Sequence, residues 1–287
     1  LDVKKTDTKT MANLMVGREV NFSVDKPAPE FGREILKVEH LTVQNEDKFE
    51  VVKDVSFSVR GGEIFAVAGV SGNGQVELAD AVAGLLKPSH GRILLNGKDI
   101  TQASIRSRNL EGISYIPEDR QNVGLVMDLS LSDNLALKNY FQPPFSNGSM
   151  IAGDEFVRYS DELIKKYDIR SGQGSGTIVR SMSGGNQQKA IIAREIELDS
   201  SLLIFVQPTR GLDIGAIEKI HRQIVEQRSR GKAVLLISLE LDEVMNLADT
   251  IGVIYNGKIE KIADAKTLTP GEVGEFMMGV GGRHEKA

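Results

Sequence analysis

The chain has 287 residues and 31.3 kDa, enough to bury a sizeable core in one large or two modest domains. Its 40% hydrophobic and 26% charged residues are ordinary for a globular protein and exclude disorder of the whole chain. It has no cysteine, which excludes disulfides, thiolate metal sites and cysteine nucleophiles, and its net charge of −5 without a basic stripe speaks against a nucleic-acid partner.

No apolar run approaches the roughly 20 residues of a membrane-spanning helix. Leu1 to Lys9 is polar and charged, unlike a signal peptide. The histidines, at 40, 90, 221 and 284, are too scattered for a metal site and are expected to be structural or solvent-facing. Residues 1–30 differ from the rest. Met11 to Val16 suits a short helical stretch, and Lys26-Pro27-Ala28-Pro29 reads as a linker. With no initiator methionine, this region is expected to be the end of a preceding domain in a longer polypeptide.

From Glu34 the pattern becomes regular. Ile35 to Glu39 and Val55 to Val59 alternate as half-exposed strands. Ile64 to Ala68, Leu202 to Val206 and Ala233 to Ile237 are continuous apolar runs, as suits central strands of a parallel sheet covered on both faces. Ile217, Ile220, Ile224 and Val225 form one apolar stripe on a helix after Asp213. The alternation predicts an α/β fold with a mainly parallel sheet flanked by helices, built from residues 31–125 and 180–265. Leu129 to Tyr167 lacks buried runs and reads as helical, so residues 126–179 are expected to form an inserted helical subdomain. Residues 266–287 are expected to be a C-terminal helix and tail. Asp161, Glu162, Lys165 and Lys166 suit a solvated helix face with i,i+4 pairs, and Glu240, Asp242 and Glu243 suit caps of the helix that follows them.

Gly69-Val70-Ser71-Gly72-Asn73-Gly74 lies between a buried strand and an apolar helical pattern. Such a loop either cradles an anion, with backbone N–H groups and the helix N-terminus, or is only a tight strand–helix turn. A P-loop continues with Lys and then Ser or Thr. Here those positions are Gln75 and Val76, so both the ammonium for the phosphates and the hydroxyl for Mg²⁺ are missing. Met182-Ser183-Gly184-Gly185-Asn186-Gln187-Gln188 then opens an amphipathic helix, either a second anion site or an ordinary capped helix. A buried strand and Gln207-Pro208-Thr209-Arg210-Gly211-Leu212-Asp213 follow.

These motifs together resemble the nucleotide-binding domain of ATP-binding cassette transporters over about residues 34 to 265. Ser183-Gly184-Gly185-Asn186-Gln187 is similar to the family's signature and Gly211-Leu212-Asp213 to its D-loop. The phrases GVSGNGQVEL, YIPEDR, MSGGNQQK, QPTRGLD and SLELDEV resemble the second cassette of fused two-cassette importers for simple sugars or nucleosides, nearest the nucleoside and riboflavin branch. The resemblance implies a P-loop NTPase-like core with an N-terminal antiparallel β portion and an inserted helical subdomain. It implies ATP as cofactor and a location at the cytoplasmic face of a membrane. It implies three partners: a first cassette on the same polypeptide, permease subunits docked on the helical subdomain and the loop around Glu118 to Arg120, and indirectly a substrate-binding lipoprotein.

Against the family pattern, Val206 and Gln207 replace the Asp and Glu that serve Mg²⁺ and the attacking water. A glutamine cannot accept that water's proton near neutral pH. Leu239 stands at the switch histidine, and Glu118 at the Q-loop glutamine. Phe49 is the candidate aromatic for the adenine. The expected self-side set is therefore Gly69, Ser71, Gly72, Asn73, Gly74, Gln75, Val76, Glu118 and Gln207, binding nucleotide weakly or not at all and holding no metal. The expected partner-facing set is Ser183, Gly184, Gly185, Gln187 and Asp213, acting in trans on ATP and Mg²⁺ held by the first cassette. Arg210 is expected beside that interface. A simple sugar importer cassette and a non-hydrolytic nucleotide-binding scaffold are the alternatives.

Overall fold

The computed structural model describes residues 24–148 and 150–281. The Met11 to Val16 stretch and His284 lie outside the described residues.

Two sheets carry the fold. An antiparallel sheet of order β2-β1-β4-β5 is built from β1 (Glu34–Gln44), β2 (Glu50–Arg60), β4 (His90–Leu95) and β5 (Lys98–Asp99). The larger sheet runs β12-β11-β3-β10-β9-β6, from β3 (Glu63–Ala68), β6 (Ile113–Ile116), β9 (Leu202–Val206), β10 (Ala233–Ser238), β11 (Thr250–Tyr255) and β12 (Lys258–Asp264). All pairs in it are parallel except β11 with β12. The three apolar runs are β3, β9 and β10, wholly buried as their sequences require.

Alternate residues of these strands feed two cores. Phe65, Val67, Ile204, Val206, Leu235 and Ile237 pack with the antiparallel sheet and with α1 (Gln75–Ala83). Ala66, Phe205 and Leu236 pack on the opposite face with the remaining helices. Each fully buried aliphatic or aromatic side chain contributes about 1.5–3 kcal/mol, so the sandwich fixes where β3 ends and α1 begins. Arg108, on α2 (Ile105–Leu110), is only 2% exposed and gives its guanidinium to the carbonyls of Ala81, Val82 and Thr101 at 2.7–2.8 Å. It thereby satisfies the end of α1, where the helix dipole favours a cation.

The inserted region holds α3 (Leu131–Ala136), a two-stranded hairpin of β7 (Ser146–Asn147) and β8 (Met150–Ile151), and α4 (Gly153–Lys166). The hairpin interrupts a region that the sequence reads as helical. Then follow α5 (Gly184–Glu197), α6 (Ile214–Ser229), α7 (Leu241–Leu247) and α8 (Pro270–Met277). Two charge expectations hold only in part. Asp161, Glu162, Lys165 and Lys166 do form an exposed face, and Glu240 does stand at the N-cap of α7 with Asp242 in the first turn. Lys166 pairs with Glu197 of α5 at 2.7 Å rather than with an i,i+4 partner. The side chain of Glu240 makes no cap bond to α7, and Glu243 turns inward. A long side chain beside a neighbouring helix finds a better-placed partner there than along its own surface.

Candidate functional site

The 69–74 loop leaves the C-terminal end of β3 and opens α1. Gly74 has φ +94°, and a Cβ there would lie 2.2 Å from the Val51 carbonyl oxygen, so only glycine fits. The loop is also tied to the β11–β12 turn, for Asn73 Oδ1 accepts from the Asn256 amide at 2.9 Å. Ser71 and Gly72 are exposed at its tip.

Gln75 decides the character of this loop. It is 2% exposed, its Nε2 donates to the Val70 carbonyl at 2.8 Å, and its Oε1 accepts from the Asn73 amide at 3.1 Å. A phosphate in the cradle needs such amides free. The carboxamide satisfies the loop from within, in the place where a P-loop lysine would reach outward. Val76 offers no hydroxyl, and β9 ends in an apolar Val206 followed by Gln207. Gln207 sits at φ +46°, and its amide donates to the Ile237 carbonyl at 2.8 Å. Phe49 is 70% exposed. This set offers no ammonium at position 75 and no hydroxyl at position 76 to meet a phosphate or Mg²⁺.

The second set is built differently. Ser183 is the N-cap of α5 and exposed, and its Oγ accepts from Asn186 Nδ2 at 2.9 Å. The amides of Gly184 and Gly185 fall in the first helical turn, where no intrahelical acceptor exists. A Cβ on Gly185 would meet nothing within 4 Å, so that face is open. No acidic residue lies in the first turn, and the helix dipole adds positive potential. These donors fit an anion approaching from outside. Gln187 does not belong among them. It is 2% exposed and its Nε2 donates to the Val179 carbonyl at 3.1 Å, so it anchors the segment beneath the helix. Two residues along the helix from Gly185, and so about 200° around its axis, it points inward.

Ser183 and Gly185 share a groove with Asp168, Lys189, Asp213 and Lys219. Asp213 caps α6 by accepting from the Ala216 amide at 2.9 Å. Hydrogen bonding to Lys219, reinforced by Lys189, holds the Asp168 carboxyl down at about 2. A separate groove lined by Val76, Tyr115, Glu118, Arg120 and Arg210 lies beside the glycine loop. There Arg210 pairs with Glu118, and the Arg210 carbonyl accepts from Arg120 Nη1 at 3.3 Å. Val76 and Glu118 of the first set thus face one groove, and Ser183, Gly185 and Asp213 of the second set face another.

A buried hub, which the sequence reading missed, joins the helical insertion to the core. Glu195 of α5, wholly buried, accepts from Lys138 at 2.7 Å, Arg194 at 2.9 Å and the Tyr115 amide at 3.2 Å. Burial by itself would raise its carboxyl, but the two cations prevail and hold it below the ordinary range. An i,i+1 Arg-Glu pair on a helix carries no signal of this in the sequence.

The fold, with its flanking helices, N-terminal antiparallel sheet and signature turn, defines an ATP-binding cassette. The family profile for ABC transporters matches residues 52–210, and the chain belongs to that family. It is 46% identical over 279 residues to the guanosine import ATP-binding protein NupO of Bacillus subtilis (strain 168), covering 97% of this chain and 54% of that protein. It is 44% identical to the nucleoside import ATP-binding protein NupA of Lactococcus lactis subsp. cremoris (strain MG1363), covering 94% of this chain and 53% of that protein. The chain therefore spans about half the length of the curated relatives it matches. A dimeric ATP-binding cassette in a post-hydrolysis state with ADP and Pi has the same fold, with a TM-score of 0.69 at 21% identity over 80% of this chain and 99% of the other. Among the described residues, no helix is long and apolar enough to cross a membrane.

Proposed function

We propose that this chain is the second cassette of a two-cassette importer ATPase for nucleosides or related solutes. Its own nucleotide site is degenerate, and its signature completes the ATP site of the first cassette. The observation that carries this reading is Gln75 bonded into its own loop while Ser183 and Gly185 line another groove, with open space at Gly185. In a head-to-tail pair of cassettes, Ser183 Oγ and the two glycine amides would receive the terminal phosphate of ATP with Mg²⁺ carried by the partner. The printed functions of NupO and NupA support the nucleoside class, and their length, about twice the matched span, supports a second cassette in the whole protein.

The permease is assigned to the groove between α2 and the helical insertion. It is lined by Ile105, Arg106, Leu110, Leu137, Tyr140 and Phe141. Leu110 is 58% exposed, and the Arg106 guanidinium lies 3.8 Å over the Phe141 ring. Apolar and aromatic groups ringed by polar ones suit a docked helix.

The test uses the intact two-cassette protein with its permease. Ser183→Arg places a bulky cation at the helix start and should abolish turnover. Gln75→Ala, at the degenerate loop, should leave it within about twofold. Equal damage from both would mean that this domain's own site hydrolyses ATP.

A further inference from the structure

Glu243, in the first turn of α7, is 5% exposed and turned away from the helix terminus. Its Oε1 accepts from Thr209 Oγ1 and from His221 Nε2, each at 2.8 Å. Thr209 follows β9, His221 lies on α6, and both are buried. The second oxygen, Oε2, is buried and has no hydrogen-bond partner among the described residues. Burying an imidazole and a carboxylate is costly, and an apolar trio of similar volume would pack with no such cost. One atom instead ties together the turn that leads into the D-loop, α6 and α7.

The next contacts lead to the signature. Thr209 precedes Arg210, whose guanidinium holds Glu118 and whose carbonyl accepts from Arg120. Arg120 packs on Gly184 so closely that a Cβ there would lie 2.8 Å from its Nη2. The path runs Glu243, Thr209, Arg210, Arg120, Gly184.

We infer that Glu243 is a positioning residue, which by holding Thr209 and His221 on one oxygen sets the D-loop and, through Arg210 and Arg120, the Ser183–Gly185 turn. The inference rests on the trans role proposed for Ser183. Spatial contiguity gives only a route, so the test must measure coupling.

In the intact protein with its permease, Thr209→Val keeps volume but removes the hydroxyl. It should lower kcat for ATP hydrolysis about tenfold while KM for ATP stays within about twofold, because the partner cassette would hold the nucleotide. Thr209→Ser should restore kcat to within about twofold. Glu243→Gln combined with Thr209→Val should be less damaging than the two single effects multiplied. Parental kcat in Thr209→Val, beside an inactive Ser183→Arg, overturns the positioning role alone. If Thr209→Ser is as impaired as Thr209→Val and both melt equally early, the role is structural and the inference fails. An active Ser183→Arg would remove the trans reading and this inference with it.

Discussion

Gln75 Oε1 accepts from the backbone amide of Asn73 at 3.1 Å, inside the 69–74 glycine loop. The same carboxamide donates to Val70, so both of its polar ends are used within the loop. A phosphate would have to break this pair before reaching the amide. The competition is local: a neutral hydrogen bond contributes about 0.5–1.5 kcal/mol, and charge-assisted ones more.

Gln75→Lys should therefore free the Asn73 amide and place an ammonium at the loop. Calorimetric titration should find ATP binding at least about tenfold tighter than in the parent. Turnover by the isolated chain should still stay at background, because Val206 and Gln207 supply neither a metal ligand nor a base. Hydrolysis gained from this one substitution would contradict the chemistry assigned to Gln207.

Two glycines separate fold from function. Gly74→Ala puts a Cβ 2.2 Å from the Val51 oxygen at a φ of +94° and should cost about 1–3 kcal/mol in urea unfolding. Gly185→Ala meets open space within a helix and should leave stability unchanged or raise it by up to about 1 kcal/mol. In the intact protein Gly185→Ala should nonetheless slow turnover, since the methyl would sit where the partner's phosphate approaches. Full turnover with Gly185→Ala would show that this face is not approached.

Leu110→Asp should weaken co-purification with the permease without changing the melting temperature by more than a degree or two. Leu110 is 58% exposed and its loss leaves no cavity, and surface changes of this kind usually stay within about 0.5 kcal/mol. Undiminished recovery of the complex would move the docking site elsewhere.

Asp168 gives a pH signature. The Lys219 hydrogen bond and Lys189 hold its carboxyl at about 2 in the folded chain, below the roughly 3.9 of an unfolded aspartate. A depressed folded value contributes stability that is present above about pH 4 and is lost as pH falls toward about 2. Asp168 is 53% exposed, so solvent screening keeps the contribution below about 1 kcal/mol. The stability gap between parent and Asp168→Asn should narrow as pH falls below about 4. A gap that stays constant with pH would show that the two lysines do not act through this charge.

The sequence alone determined the strand–loop–helix order, the mainly parallel sheet and the positions of the Ser183 and Asp213 turns. Each of these rests on contiguous residues. A run such as Leu202 to Val206 can only be buried on both faces, and Ser-Gly-Gly before an amphipathic stretch dictates a bare helix start. Only the tertiary structure decided which polar groups meet across elements. Gln75 turned onto its own loop, Gln187 beneath the helix, Glu243 onto Thr209 and His221, and Arg120 onto Gly184. The buried Glu195 hub belongs with them. These partners lie 22 to 64 residues apart, or sit close in sequence and depend on one rotamer. Hydrophobic periodicity records which face of an element is buried, and leaves open which polar atom a buried side chain finds there.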